Sequence, residues 1–282
     1  KFNSGFTAPG AINHFRSNAN STSGGGINLE NNNLTFNTAN GVTNQTTGGG
    51  VLIFGGGAAV DANGNPTGAA ISSGTAISFN PAATGNNITK MYTGGGNISV
   101  KGNTSGGTAV LFGRNTTISA GNGSINITGC GTTVGVYLNV WNGGAYNITA
   151  RGDITINGTS SGNDAANIFA GIRSYYDSNA QGGTIRSTGG NVTLTGSSGA
   201  EGVYILSSNS IVADVGNVTI TGTANSGSRG VVIYGNVLAG GNNINISTTN
   251  NNHIWLSGTV GQLAGSNVAS TNANITISGS SL

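Results

Sequence analysis

The sequence predicts an all-β chain folded as a parallel β-helix, a solenoid of about ten coils with three short strands each. Three observations predict it. A phrase of alternating aliphatic and polar residues recurs along the chain, glycine makes up 52 of the 282 residues, and only nine basic and seven acidic side chains are present. An ordinary domain of this length carries about seventy charges. That scarcity, with a hydrophobic content of 35%, excludes a self-repelling disordered chain. No run approaches the roughly eighteen apolar residues of a membrane-crossing helix, so no transmembrane segment of that kind is expected. A net charge of +2 and the lack of any Lys/Arg cluster argue against a nucleic-acid partner.

The first strand of each coil is the phrase itself: Gly96-Asn97-Ile98-Ser99-Val100, Gly123-Ser124-Ile125-Asn126-Ile127, Gly152-Asp153-Ile154-Thr155-Ile156, Gly190-Asn191-Val192-Thr193-Leu194, Gly216-Asn217-Val218-Thr219-Ile220, Asn243-Ile244-Asn245-Ile246 and Asn274-Ile275-Thr276-Ile277. A period of two puts both aliphatics on one buried face, and Val, Ile and Thr suit a pleated surface. Successive phrases are spaced by 27, 29, 38, 26, 26 and 31 residues. Ile27, Ile53 and Ile77 extend the series toward the start.

The second strand is exemplified by Gly135-Val136-Tyr137-Leu138, Gly202-Val203-Tyr204-Ile205, Gly230-Val231-Val232-Ile233 and His253-Ile254-Trp255-Leu256. The third is shorter and centres on Ile118, Ile148, Ile185, Ile211, Val237 and Val268, each six or seven residues before the next phrase. One coil cannot bury its aliphatic face, but a stack of about ten at ~4.8 Å per coil buries a continuous column in a rod on the order of 50 Å long. Glycine is expected at the corners, where positive φ costs it little, with Asn the next best choice. Stacking also explains the missing charge, since a like charge repeated every ~4.8 Å repels along the whole rod.

Residues 1–282 are expected to form a single β-helix segment of a longer fibre, with 1–25 an irregular start and 157–181 a protruding insertion. The chain opens on Lys1-Phe2-Asn3 with no initiator methionine or signal-like segment, which reads as a processed piece. Open strand edges at both ends of a rod call for caps or further chain.

The phrases Gly-Asn-Val-Thr-Leu-Thr-Gly at 190–196 and Gly-Asn-Val-Thr-Ile-Thr-Gly at 216–222, with Gly-Val-Tyr-Ile at 202–205 between them, resemble the coils of filamentous-haemagglutinin-like exoproteins. Among these the chain is most similar to the high-molecular-weight adhesins of two-partner secretion, from about residue 26 onward. The resemblance implies a right-handed parallel β-helix secreted to a bacterial cell surface through an outer-membrane two-partner secretion transporter. It also implies attachment to a host-cell surface glycan or glycoprotein, without a cofactor. The Asn-Pro-Asn motifs of the family's secretion domain are not matched by Asn65-Pro66 or Asn80-Pro81, so the segment is expected to lie in the mature fibre.

Fifteen Asn-X-Ser/Thr sequons occur, at Asn20, Asn33, Asn44, Asn87, Asn97, Asn103, Asn115, Asn122, Asn126, Asn147, Asn157, Asn191, Asn217, Asn245 and Asn274. Composition alone produces many, and a corner Asn before an aliphatic and a Thr is a sequon automatically. The resemblance implies hexose modification by a cytoplasmic glycosyltransferase before export. Asn97, Asn191, Asn217 and Asn274, at coil corners, are then acceptors if their amides point outward.

A polysaccharide-degrading enzyme is the less favoured reading. Glycoside hydrolysis needs two carboxylates about 5–10 Å apart. Asp153 has no acidic counterpart in the equivalent slots of other coils, Glu201 and Asp214 fall at different phases, and no acid cluster suits a calcium-assisted lyase. His14 and His253 match no ligand or triad pattern, so each is expected to be solvated or edge-packed. The lone Cys130 is expected to be a small buried residue.

The candidate binding face lies on the second strand. With Val136, Ile172, Val203, Val231 and Ile254 inward, the residues following them point out. In coil order these are Leu111, Tyr137, Arg173, Tyr204, Val232 and Trp255, with Tyr175 and Tyr234 two positions further on and Tyr176 beside them. Aromatic faces stack on sugars and an arginine binds carboxylates bidentately, so the ladder suits an acidic sugar such as sialic acid. Two other readings stand beside it: aromatics that stabilise the sheet against one another, and a ligand-free spacer in a fibre shaft.

Overall fold

The structure is a computed structural model that describes residues 6–7, 12–17, 26–29, 34–39, 50–56, 74–79, 88–140, 144–162, 169–176, 182–225, 228–240, 243–249, 252–262 and 274–279. All strands among them lie in three parallel sheets of nine, nine and eight strands, and no helix occurs among the described residues. The chain visits first, second and third sheet in fixed rotation, and each strand pairs with the strand three places further on. That topology is a parallel β-helix.

The recurring phrase forms the second sheet. Ile98, Ile125, Ile154, Val192, Val218, Ile244 and Ile275 stand opposite one another in register. All are buried except Ile275, which with Ile277 is about half exposed in the last strand. In the third sheet Val110, Val136, Ile172, Val203, Val231 and Ile254 form the matching inward row. In the first sheet the row runs from Ile118 to Val237 and continues to Val260, the first residue of the strand Val260–Gln262, which begins sooner than expected. Val268 lies outside the described residues.

The early coils depart most from expectation. Ile27 pairs with Ile77 in the third sheet, while Ile53 stands opposite Ser99 in the second; the inward predecessor of Ile98 is Leu52. Those coils are therefore longer than the later ones, and nine strands in the second sheet replace the expected ten. Nor is the start wholly irregular: Phe6–Thr7 joins the first sheet beside Leu34–Asn37, and Ile12–Ser17 joins the second beside Val51–Gly56. Asn13 stands opposite the inward Leu52, a polar residue at a position where the pattern calls for an aliphatic, so the strand is not legible from its own sequence. The span 157–181 is also not one protrusion. It holds the end of the strand Ile154–Ser160 and all of Ala170–Tyr176, with 163–168 and 177–181 outside the described residues.

The core changes character along the rod. In the early coils Phe54 stacks on Phe15 at 4.9 Å and meets Phe36 and Phe79 edge-on at 5.7 and 5.3 Å, and Phe79 stacks on Phe112 at 5.0 Å. Such geometries contribute beyond area burial. Later coils fill the column chiefly with Ile, Val and Leu, joined by the buried ring of Tyr146 and by alanines such as Ala150, Ala213 and Ala239.

Glycine also has a role that the corners do not explain. Gly56, Gly102, Gly129, Gly158, Gly196 and Gly222 stand in one register row inside the second-sheet strands, ending at Thr248. At Gly222 a Cβ would lie 1.9 Å from the carbonyl oxygen of Gly230, and at Gly196 it would lie 2.0 Å from that of Gly202. The second and third sheets converge here until backbone meets backbone, so the row is glycine for want of space and not for positive φ. Only a hydrogen fits.

Candidate functional site

The outer row of the third sheet is Ser78, Leu111, Tyr137, Arg173, Tyr204, Val232 and Trp255, as the alternation predicts. Two of its members, Arg173 and Tyr204, gather with Arg229 and Tyr234 into one cluster. The Arg173 guanidinium lies 5.0 Å over the Tyr204 ring, Arg229 approaches the same ring at 5.8 Å, and Tyr234 packs edge-on against it at 6.1 Å. Cation–π contacts of this kind need a cation within about 6 Å of the ring centroid.

Glu201 changes what the cluster offers. Its carboxylate forms a hydrogen-bonded ion pair with Arg229 and a second contact with Arg173 at 3.7 Å. Arg173 was expected to be the free guanidinium of the ladder, yet its side chain is only 16% exposed and faces a buried carboxylate. Arg229, at 40%, is the outermost cation of the group. Val232 is fully buried, so Trp255, at 54% exposure, is separated from Tyr204 and the aromatic face is not continuous. Tyr137 is half-buried. The backbones of Tyr175 and Tyr176 pair with Asn139 and Val140, while their side chains lie outside the described residues. From the sequence Glu201 is weighed only as a catalytic acid and Arg229 is not singled out, although a signal exists: each opens a third-sheet strand just before a Gly-Val pair, 28 residues apart.

Burial pushes the Glu201 carboxyl above the usual glutamate range, with Arg229 and then Arg173 pulling it partly back. A carboxyl whose pKa rises on folding holds its proton more tightly in the folded state. Its contribution to stability is full below the ordinary glutamate pKa and is lost as pH rises through the raised one. Glu201→Gln keeps the shape without the titration. From about pH 4 to 7, the melting temperature of the variant is therefore expected to gain on that of the wild type as pH rises, and a constant difference would show that the carboxyl is not raised.

At the corner between first and second sheets a polar ladder runs along the rod. The backbone N–H of Ser124 donates to Asn97 Oδ1 at 2.9 Å, that of Asn191 to Asp153 Oδ1 at 2.7 Å, that of Asn217 to Asn191 Oδ1 at 2.9 Å and that of Asn243 to Asn217 Oδ1 at 2.8 Å. At Asn97, Asn191 and Asn217 the acceptor is the carboxamide oxygen, and at Asp153 it is a carboxylate oxygen that also accepts from Asn191 Nδ2 at 3.3 Å. N-linkage to a sugar replaces one Nδ2 hydrogen and leaves the carboxamide oxygen in place, so ladder and modification are chemically compatible. Asn97, Asn122, Asn126, Asn147, Asn191 and Asn274 are exposed; Asn103, Asn115, Asn157, Asn217 and Asn245 are half-buried; Asn20, Asn33, Asn44 and Asn87 lie outside the described residues. Asn115 adopts a left-handed turn with φ of 57°.

The described acids are each engaged. Asp153 is part of the polar ladder, Asp214 accepts three hydrogen bonds of 2.8–3.0 Å from Arg186, and Glu201 holds two arginines. Among the described residues no group of three His, Cys, Asp or Glu is placed to hold a metal. Cys130 is exposed, contrary to expectation, because its strand runs on to Gly131 and the alternation buries Gly129 and Gly131 instead. His253 is half-buried beside Arg229 in the third sheet.

Fold and cluster together define the class: a parallel β-helix bearing a compact aromatic and charged group on one face of an otherwise nearly uncharged rod. Comparison with known protein families, curated proteins and solved structures found no match.

Proposed function

We propose that the chain is a secreted segment of a bacterial surface fibre that attaches to host-cell glycans through the outer face of its third sheet. The observation that carries this reading is the Tyr204, Tyr234 and Arg229 group with Trp255 nearby, on a register-locked face of a rod with few other aromatics or charges. Stacking rings beside a partly exposed guanidinium suit a sugar with a carboxylate, such as a sialylated glycan, and Arg229 replaces Arg173 as the residue to meet it. No catalytic step is part of this reading. Export through an outer-membrane transporter and hexose transfer to exposed sequons by a cytoplasmic glycosyltransferase rest on the family resemblance.

A ligand-free fibre shaft is the second reading, favoured by the internal pairing of Arg173, Glu201 and Arg229. A glycan array separates the two. Wild-type chain is expected to retain acidic glycans, with signal reduced at least about tenfold, or about 1.4 kcal/mol, by Trp255→Ala and by Arg229→Gln. A blank array for wild type leaves the spacer.

A further inference from the structure

We infer that the corner between first and second sheets carries a separate subsite for an acidic oligosaccharide, centred on Arg151. A groove of about 480 Å³ lies there, lined by Asn122, Arg151, Gly152, Thr188, Gly189 and Val215, and a smaller one of about 200 Å³ shares Asn122, Arg151 and Thr188. Ligand clefts fall in the range of roughly 300–1,000 Å³. Asn122, Arg151, Thr188 and Val215 belong to four successive coils, so the trough runs along the rod for three coil spacings, about 14 Å.

Its floor is bare by construction. Gly152 and Gly189 leave the trough open, and a Cβ on Gly189 would press on Cγ of Arg151 at 3.0 Å. The long Arg151 stem therefore lies over a residue without a side chain, and its charged head reaches Asn122 Oδ1 at 3.4 Å. Arg173 and Arg229 share Glu201, and Arg186 is held by Asp214, whereas Arg151 meets a neutral carboxamide. A guanidinium in a polar groove with no carboxylate partner among the described residues selects an anionic group, either carboxylate or sulfate.

The occupant is saccharide for three reasons. One cation is too few for the phosphate contacts of nucleic acid, and the groove has no ring for base stacking. An extended peptide would need free backbone donors, but those of Arg151, Gly152 and Thr188 are already bonded to Gly121, Gly123 and Ala150 of neighbouring coils. The Thr188 hydroxyl, which donates to Ala150 O at 3.5 Å, keeps lone pairs to accept from a sugar hydroxyl, and Val215, which is 41% exposed, offers a C–H face.

The test titrates the full chain, by calorimetry, with a sulfated heparin hexasaccharide, a hexagalacturonate and a neutral hexasaccharide of glucose. Wild type is expected to bind one or both acidic ligands and not the neutral one; the sulfated and carboxylated arms tell the two anions apart. Arg151→Gln is expected to weaken binding at least tenfold, Arg151→Lys less, and Val215→Glu as much as Arg151→Gln, by setting a carboxylate opposite the guanidinium. Arg151 and Val215 are exposed, so unchanged circular dichroism is expected for all three. Arg229→Gln, on the third sheet, leaves this binding intact. Equal affinity of wild type and Arg151→Gln overturns the inference, as does binding of a peptide or nucleic acid in preference. The reading of the Tyr204 cluster stands or falls separately, on the Arg229→Gln array.

Discussion

A Gly222→Val chain is expected to lose about 3 kcal/mol of stability or more, the upper end of what overpacking costs. The added Cβ would sit 1.9 Å from the Gly230 oxygen and 2.4 Å from its carbon, both backbone. Gly222 is held in register between Gly196 and Thr248, and Gly230 lies in a third-sheet strand in regular register with the strand before it, the pairing with the next strand being irregular at this point. Relief requires the second and third sheets to part, which opens the core of that coil. Even Gly222→Ala carries most of the penalty. Gly261, where a Cβ meets nothing within 4 Å, provides the control, and its alanine variant is expected to melt with wild type. Urea unfolding of the three variants and wild type reads the ranking directly.

Phe54→Ala is expected to cost about 3–5 kcal/mol, as large-to-small changes of a buried phenylalanine do. Phe54 is fully buried, and its ring contacts Phe36 from the first sheet, Phe15 from its own and Phe79 from the third. Its removal leaves a cavity where all three sheets meet. Phe54→Leu, which refills part of the volume, is expected to recover a substantial fraction. Equal melting temperatures for Phe54→Ala and wild type would show that the aromatic stack does not hold the early coils.

The regular coils were legible from sequence because the phrase Ile-x-Ile carries its own register. Ile125 finds Ile98 and Ile154 by repeating the same pattern, and a slip by one residue would turn every aliphatic outward. Leu52 and Phe54 were harder to place. They sit in the run Val51–Phe54, which has no alternation, so Ile53 was mistaken for the inward residue when it is Leu52 that faces Ile98. The outer row through Tyr137, Arg173 and Tyr204 followed from alternation, but its charge state did not, since Glu201 breaks the inward pattern at a corner and reaches both arginines.

By itself, then, the sequence determined that this chain coils in three-strand turns, since a two-aliphatic phrase repeated with little charge has one economical way to be buried. The tertiary structure alone decided which arginines are neutralised and why one glycine row cannot vary. Ion pairing depends on side chains brought together from separate coils, Arg173 and Arg229 about a shared Glu201, and the glycine row depends on how closely two sheets approach. Both are distances between coils, and a one-dimensional pattern carries no such distance.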